Sequence, residues 1–453
     1  MKNGTLKQFV KTNALLLIIL LGFVIRIIFF ISLQPWKLDV IVNSIIVQDA
    51  VEYHQLAVSL LNNHSFESFD ALRTPVYPMF VAFIYKISNF SIPAVLMIQI
   101  LLNLISMWLT YKIAELIFTK KIALLSAFMF AINIHQALYA VTLCSDTFFV
   151  FLFLVSTLYL CKWIKEKKRN FLIISSFMLG ISTLERPVSF LFPFVIVLII
   201  LFLNIKPKQK LISSLQFCFV FMLTISPWLL RNYSAFGEAK LTTQTGNNLL
   251  FCNVSATEAY KSGKSYETVR QEYRDYFKLQ GIDTVTNPFR RSDIYSDYAK
   301  KYIKENFTLY CQRHIMGIVN MYTAIATKHL ASTFHIRSRS LSKEQIKGVS
   351  LIKRVNDFFQ CKTIEEQIMA IGLGLYLFAN YIFSFFALIL LLRKKEIFGI
   401  LFFFIILYFS IITGVIGDAR LRMPVMPFIN ILCAFGIIYF LERKKPSDSE
   451  GLL

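Results

Sequence analysis

The chain has 453 residues and a formal net charge of +21; 56% of its side chains are hydrophobic and 17% charged. Apolar stretches such as 14–33, 188–205 and 396–414 hold almost no charge, and runs of this length read as membrane-spanning helices. A soluble protein is excluded, and so is nucleic-acid binding, because the lysines and arginines gather at the ends of the apolar stretches, where they set topology.

The first apolar stretch follows Lys2, Lys7 and Lys11 and is interrupted by Arg26. It is too long for a cleaved leader and no small-residue cleavage pattern follows, so it reads as a retained anchor. Arg26 is expected to pair with another buried polar group rather than with substrate. Basic clusters recur at 119–121, 162–169, 206–210, 393–396 and 442–445. Ten spans near 14–33, 92–118, 122–141, 146–162, 171–184, 188–205, 211–230, 368–392, 396–414 and 424–441 place every cluster, and both termini, on the cytoplasmic side. The stretch TPVYPMFVAFIYKIS at 74–88 must then stay on one side, as a proline-containing juxtamembrane helix in the outer interface.

The predicted fold is an all-α polytopic membrane protein with outer juxtamembrane helices and a small helical extracytoplasmic cap. Residues 1–230 form a transmembrane module whose first outer loop is 34–91. Residues 231–367 form the outer, mostly helical region, 368–441 the last spans and 442–453 a cytoplasmic tail. Within the outer region, 266–279 and 292–306 alternate aromatics with charges at helical spacing, and 308–326 reads as a helix lying on the bundle or lipid surface. The seven cysteines have no metal-like spacing; Cys252, Cys311 and Cys361 fall in the outer region, so one disulfide is allowed and none demanded.

Two lone acids stand out. Asp49 opens QDAVEYHQLAVSLL, where Ala50, Tyr53, Leu56, Ala57, Leu60 and Leu61 make an apolar helical stripe. Asp49 and Glu52 match a helix-capping box, a role compatible with chemistry. Asp146 begins the span of CSDTFFVFLFLVSTLYL, with Ser145 as the alternative cap. Isolated carboxylates at the rim of an apolar bundle are costly and are functional suspects. Arg73, Arg186, Arg231, Arg420 and Arg422 lie on the same outer side, where guanidinium forks suit phosphate. Tyr53, His54 and Glu52 stand beside Asp49 and could shape the site. Metal use stays open, with His54 and Glu52 as the nearby ligand types, and the GNN turn at 246–248 reads as a polar turn on the acceptor side. No nucleophile elbow, HExxH or phosphate-cradling loop is present.

Four stretches carry a resemblance. They are QDAVEYHQLAVSLL with ALRTPVYPMFVAFIY, LGISTLERPVSFLFP, SPWLLRNYSAFGEAKLTTQTGNNLLFCN and GDARLRMPVMPFIN, together running from about 45 to 430. The chain resembles the bacterial GT-C glycosyltransferases of the protein-mannosyltransferase-like group, family 39-like, which includes the aminoarabinose transferases. The resemblance implies that Asp49 is the catalytic acid of the first outer loop and that Asp146 positions the acceptor or a metal. It also implies that Arg73 meets the phosphate of a polyprenyl-phosphate sugar donor. Sugar transfer with inversion, a bacterial inner-membrane location and an extracytoplasmic site follow from it. A divalent cation and a lipid, glycan or protein acceptor belong to the same implication. The chain departs from the family pattern at Ala50, where relatives carry a second acid, and at NNHS (62–65), where glycine is common.

The resulting expectation is a glycosyltransferase with Asp49 as base, Arg73 as lead phosphate ligand and Arg420, then Arg231, as further ones. A flippase or transporter of lipid-linked sugars would need acids at the bilayer midplane on an alternating path, and these acids sit at the rim. A non-catalytic envelope-assembly scaffold would not need both acids and Arg73.

Overall fold

The computed structural model describes residues 2–63, 66, 70–336, 360 and 362–443, and among them every regular element is helical. Helices cover all ten segments expected to span. Six are long and apolar enough to cross a membrane alone, namely those within 12–33, 92–117, 146–166, 207–236, 364–393 and 426–443. A bent pair, Lys120–Ala131 and Ile134–Ala140, makes a seventh. Arg169–Glu185, Phe192–Phe202 and Ile397–Ile412 are shorter helices packed into the same bundle. Among the described residues the expected spans are thus met by long helices, one bent pair and shorter helices that lean on their neighbours.

The exterior explains why the chain is so apolar. On the first helix Leu16, Leu20, Val24, Ile28 and Ile31 face outward at helical spacing, as Ile371, Leu375, Phe378, Ile382 and Phe385 do on helix Ile364–Arg393. Such stripes have no aqueous function and suit hydrocarbon.

The bend in the pair is built, not accidental. The helices meet at 57°. Asn133 caps the second by accepting from Gln136 N at 3.2 Å. Carbonyls freed at the end of the first are taken by Arg26, which donates to Ala131 O at 3.0 Å and Phe130 O at 3.4 Å. The same guanidinium donates to Asn103 Oδ1 at 2.6 Å, the buried polar partner expected of it. Backbone groups at membrane depth must be satisfied internally, and a buried arginine does so here.

Helix Val76–Ser88 has one face buried (Tyr77, Val81, Ile84, Tyr85) and one exposed (Met79, Phe83, Ile87). Both faces are apolar, as a helix lying between protein and lipid requires. Pro78 falls in its first turn, where no N–H is needed. Helices Asp49–Asn63 and Val76–Ser88 pack together on helices Ile92–Ile117 and Ile134–Ala140, around Tyr53, Ala57, Val81 and Val95.

At the same end, Tyr266–Leu279 and Pro288–Glu305 close a small core of Leu250, Phe251, Val254, Phe277, Tyr295 and Ala299. Gly246 permits the approach: a Cβ there would lie 2.0 Å from Ser292 O. The cap is tied to the bundle where Asn253 Oδ1 accepts from Val415 N at 2.8 Å. Helix Phe307–Thr323 lies against the turn at 414–417. Cys252 and Cys311 are free thiols, and Cys361 lies outside the described residues.

Candidate active site

Three chain segments that are remote in sequence meet where the first-loop helix, the bundle and the cap converge. Asp49 is the first residue of helix Asp49–Asn63, entered through Gln48 in the left-handed region (φ 51°). Arg73 follows a second left-handed residue, Ala71 (φ 57°), whose carbonyl accepts from Thr243 N at 3.0 Å. Leu72 O accepts from Thr242 Oγ1 at 2.8 Å, and Thr74 Oγ1 donates to Glu185 O at 2.9 Å. The backbone around Arg73 is therefore held from both sides, which fixes where the guanidinium starts.

Arg420 sits on the short turn Ala419–Arg422, opened by Asp418 Oδ1 accepting from Arg420 N at 2.8 Å. Arg422, fully buried, locks that turn by donating to Met321 O at 3.0 Å and to His135 Nε2 at 2.8 Å. Close glycine packing holds it from the other side: a Cβ on Gly317 would lie 2.2 Å from Gly414 O.

These elements bring five charged pairs together. Arg73 Nη2 donates to Asp49 Oδ1 at 2.7 Å and its Nε to Glu52 Oε2 at 2.6 Å. Arg420 Nη1 donates to Asp49 Oδ2 at 2.7 Å and its Nε to Asp146 Oδ2 at 2.5 Å. Arg186 Nη1 donates to Asp146 Oδ1. Three carboxylates and three guanidiniums thus form one neutral network. Tyr53 supports it, its ring 5.0 Å from the Arg73 guanidinium carbon and its hydroxyl donating to Ser145 Oγ at 3.2 Å.

The Asp49–Glu52 pattern that reads as a capping box is used otherwise. Both Asp49 oxygens and Glu52 Oε2 accept from arginine side chains, because a charge-assisted bond to a guanidinium is stronger than one to a backbone N–H. Burial pushes the Asp49 carboxyl up, but Arg73 and Arg420 outweigh it and hold it well below the usual carboxylate range. The Arg73 guanidinium, pushed down by burial, is in turn pulled higher by Tyr53, Asp49 and Glu52.

A cavity of about 1620 Å³ opens over this network. That exceeds the several hundred Å³ of a usual small-molecule site and leaves room for two reactants at once. Asp49, Glu52, Arg73, Arg186 and Arg420 line its floor, and Asn247, Asn248, Arg270, Arg274 and Lys278 line the cap side. Asp146 itself is only 1% exposed and meets the cavity only through Arg186 and Arg420.

Two sequence candidates are not brought here. Arg231 stacks on Trp228 and Phe236, 5.0 and 5.2 Å from their ring centres, and donates to Phe66 O, outside the cavity lining. Helix Pro207–Phe236 ends against the first loop and turns the arginine away. His54 shares a hydrogen bond of 2.9 Å with Tyr85 on the opposite side of its helix from Asp49. The sequence reading also passed over two groups. Glu185 lines the cavity and is 2% exposed, with both carboxyl oxygens buried and lacking a hydrogen-bond partner. His329, also in the lining, has its imidazole pushed below the usual range by burial, with Asp418 pulling it up and Arg420 lowering it again. Only Glu185 carried a signal, as a lone acid at a helix end beside Arg186.

Among the described residues no three His, Cys, Asp or Glu side chains gather to hold a cation. Guanidiniums stand on the oxygens of Asp49 and Asp146 that a cation would need, so this arrangement does not fit a metal site.

Residues 72–230 match the dolichyl-phosphate-mannose-protein mannosyltransferase family. An oligosaccharyltransferase from Archaeoglobus fulgidus, tethered with an acceptor peptide, aligns over 98% of this chain and 52% of its own, with 11% identity and a TM-score of 0.54. AglB from the same organism, in complex with an inhibitory peptide and a dolichol-phosphate, aligns over 97% and 52%, with 12% identity and a TM-score of 0.51. ArnT from Cupriavidus metallidurans, bound to undecaprenyl phosphate, gives 96%, 81%, 12% identity and a TM-score of 0.43. The chain spans about half the length of the oligosaccharyltransferase chains. No protein of curated function matches the sequence. The likeness read from the sequence is borne out at this level: residues 72–230 match the mannosyltransferase family model, and the chain shares the fold of the oligosaccharyltransferases.

Proposed function

We propose that the chain is a membrane glycosyltransferase that moves a sugar from a polyprenyl-phosphate donor to a hydroxyl on a lipid, glycan or protein acceptor. The observation that carries this reading is the convergence of Arg73 and Arg420 on Asp49 at the floor of a cavity large enough for both reactants. Two guanidiniums aimed at one point suit a phosphate, and a carboxylate beside them suits a hydroxyl proton.

The acceptor oxygen attacks the anomeric carbon from the face opposite the phosphate, which inverts it. The bond from that carbon to the phosphate oxygen breaks, and the polyprenyl phosphate leaves with the electron pair, stabilised by the arginines. Asp49 accepts the hydroxyl proton. A carboxylate of pKa about 4 or lower is a feeble base for an alcohol, so transfer comes late, once the sugar–phosphate bond is opening. Asp146 acts from beneath by holding Arg186 and Arg420. No step runs through a metal ion.

The charge map supports cytoplasmic termini and a reaction on the outer face, and the resemblance to bacterial glycosyltransferases supports a bacterial inner membrane. NMR of the product formed from a donor of known anomeric configuration tests the reading. The opposite configuration in the product is expected, and retention would contradict a single displacement.

A further inference from the structure

Arg73 and Arg420 use their atoms in the same way. Each anchors through Nε to one acid, Glu52 for Arg73 and Asp146 for Arg420, and each reaches with one Nη to a different oxygen of Asp49, both at 2.7 Å. The side chains of the two arginines are 11% and 24% exposed, whereas that of Asp49 is 36% exposed. The carboxylate therefore stands between the guanidiniums and the cavity, at the one point where both converge. A donor phosphodiester that engages both Nη groups needs that point, and so does the polyprenyl phosphate it leaves.

We propose that Asp49 is an internal stand-in for the donor phosphate, displaced from Arg73 and Arg420 when the donor binds, so that the base is released only by its own substrate. The proposal rests on the glycosyltransferase reading and adds a mode of regulation to it. The Nε anchors stay in place during the exchange, so each guanidinium pivots while Glu52 and Asp146 keep it aimed. The consequence for chemistry is direct. The two cations that hold the Asp49 carboxyl down turn to the phosphate, and Asp49, left facing Glu52 and Tyr53, becomes a better proton acceptor as the donor arrives. Before that moment it is too weak a base to activate a hydroxyl, which orders the steps: donor first, deprotonation second.

The test needs neither the sugar nor the acceptor. Binding of undecaprenyl phosphate is titrated to the purified full-length chain in nanodiscs of zwitterionic lipid. Exchange makes Asp49 a competitor of the ligand, so Asp49→Asn should tighten binding about tenfold, about 1.4 kcal/mol. Asp283→Asn removes a cavity-lining acid that neither arginine holds and should change affinity less than about twofold, which separates competition from bulk charge. Asp49→Ala is the second variant should the first not fold. In it acetate should compete with undecaprenyl phosphate by refilling the carboxylate position, whereas in wild type acetate should have no effect. If phosphate instead adds to the remaining N–H groups with Asp49 still in place, Asp49→Asn will leave affinity unchanged or weaken it. That result overturns the exchange while leaving the donor reading intact, provided Arg73→Ala abolishes binding. A wild-type protein that does not bind undecaprenyl phosphate overturns the donor reading, and the exchange with it.

Discussion

Asp49 and Asp146, each the first residue of a different helix, are joined through one guanidinium: Arg420 donates to the first through Nη1 and to the second through Nε. One acid is half-exposed at the cavity floor and the other is fully buried. On the proposed reading exposure divides the labour: Asp49 is placed to meet a reactant, and Asp146 to hold the arginines that meet it.

Asp49→Asn keeps shape and removes the proton acceptor. Turnover should fall by about 10²–10⁴-fold, the range for loss of a positioned general base, with expression retained. Steady-state kinetics on the purified variant check this, and a loss below about tenfold would remove Asp49 from the chemistry.

Arg73→Lys keeps a positive charge but cannot hold Glu52 through Nε while reaching Asp49 through Nη. It should behave nearly as Arg73→Ala, with kcat/KM for donor reduced about tenfold or more, as expected where a fork and not a charge is used. Full rescue by lysine would mean that charge alone suffices.

Asp146 is the opposite case. Asp146→Asn leaves Arg186 and Arg420 short of a buried counter-charge, and breaking a buried pair typically costs about 3–5 kcal/mol. Thermal unfolding in detergent should drop well below that of wild type, along with activity. Unchanged stability with lost activity would instead give Asp146 a direct part in the reaction.

The pH dependence has a definite sign. The folded Asp49 carboxyl lies below its unfolded value of about 4, so its contribution to stability is full above that pH and is lost as pH falls through the folded value. The acid-side stability profile of wild type should therefore extend to lower pH than that of Arg73→Ala, in which one stabilising cation is gone. Identical profiles would show that the Arg73–Asp49 pair does not govern the titration.

Gly317→Ala tests how Arg420 is placed. The added Cβ meets backbone oxygens of Gly414 and Val415 at 2.2 and 2.8 Å, so the 414–422 turn must shift. Overpacking of this kind costs about 1–3 kcal/mol. Turnover should fall with it, although no charged group has changed; a variant with normal turnover would show that the turn tolerates displacement.

What could be read from the sequence was whatever has a short-range or compositional cause. The lone acids Asp49 and Asp146, the helix at 76–88 and the helical cap all rest on local pattern. Arg420 was legible as an arginine on the right side, but its bridging of two acids was not, because that depends on a turn packed through Gly317 and Arg422. The capping box failed for a similar reason: an arginine 24 residues beyond Asp49 offers its carboxylate a better partner than the local backbone. The bend after Ala131 has neither proline nor glycine at it; beside the local Asn133 cap it relies on Arg26 arriving from another helix. Arg231 and Arg73 look alike in sequence and are separated only by which way their helix or loop leaves the bundle.

The most direct measurement is donor turnover by the purified chain in lipid, with a panel of polyprenyl-phosphate sugars and an envelope fraction as acceptor, wild type beside Asp49→Asn. The expected result is release of polyprenyl phosphate by the wild type and not by the variant, with the sugar recovered on the acceptor. Labelled lipid-linked sugar that crosses the bilayer equally with both proteins, with no polyprenyl phosphate released, would contradict the transferase and point to a flippase.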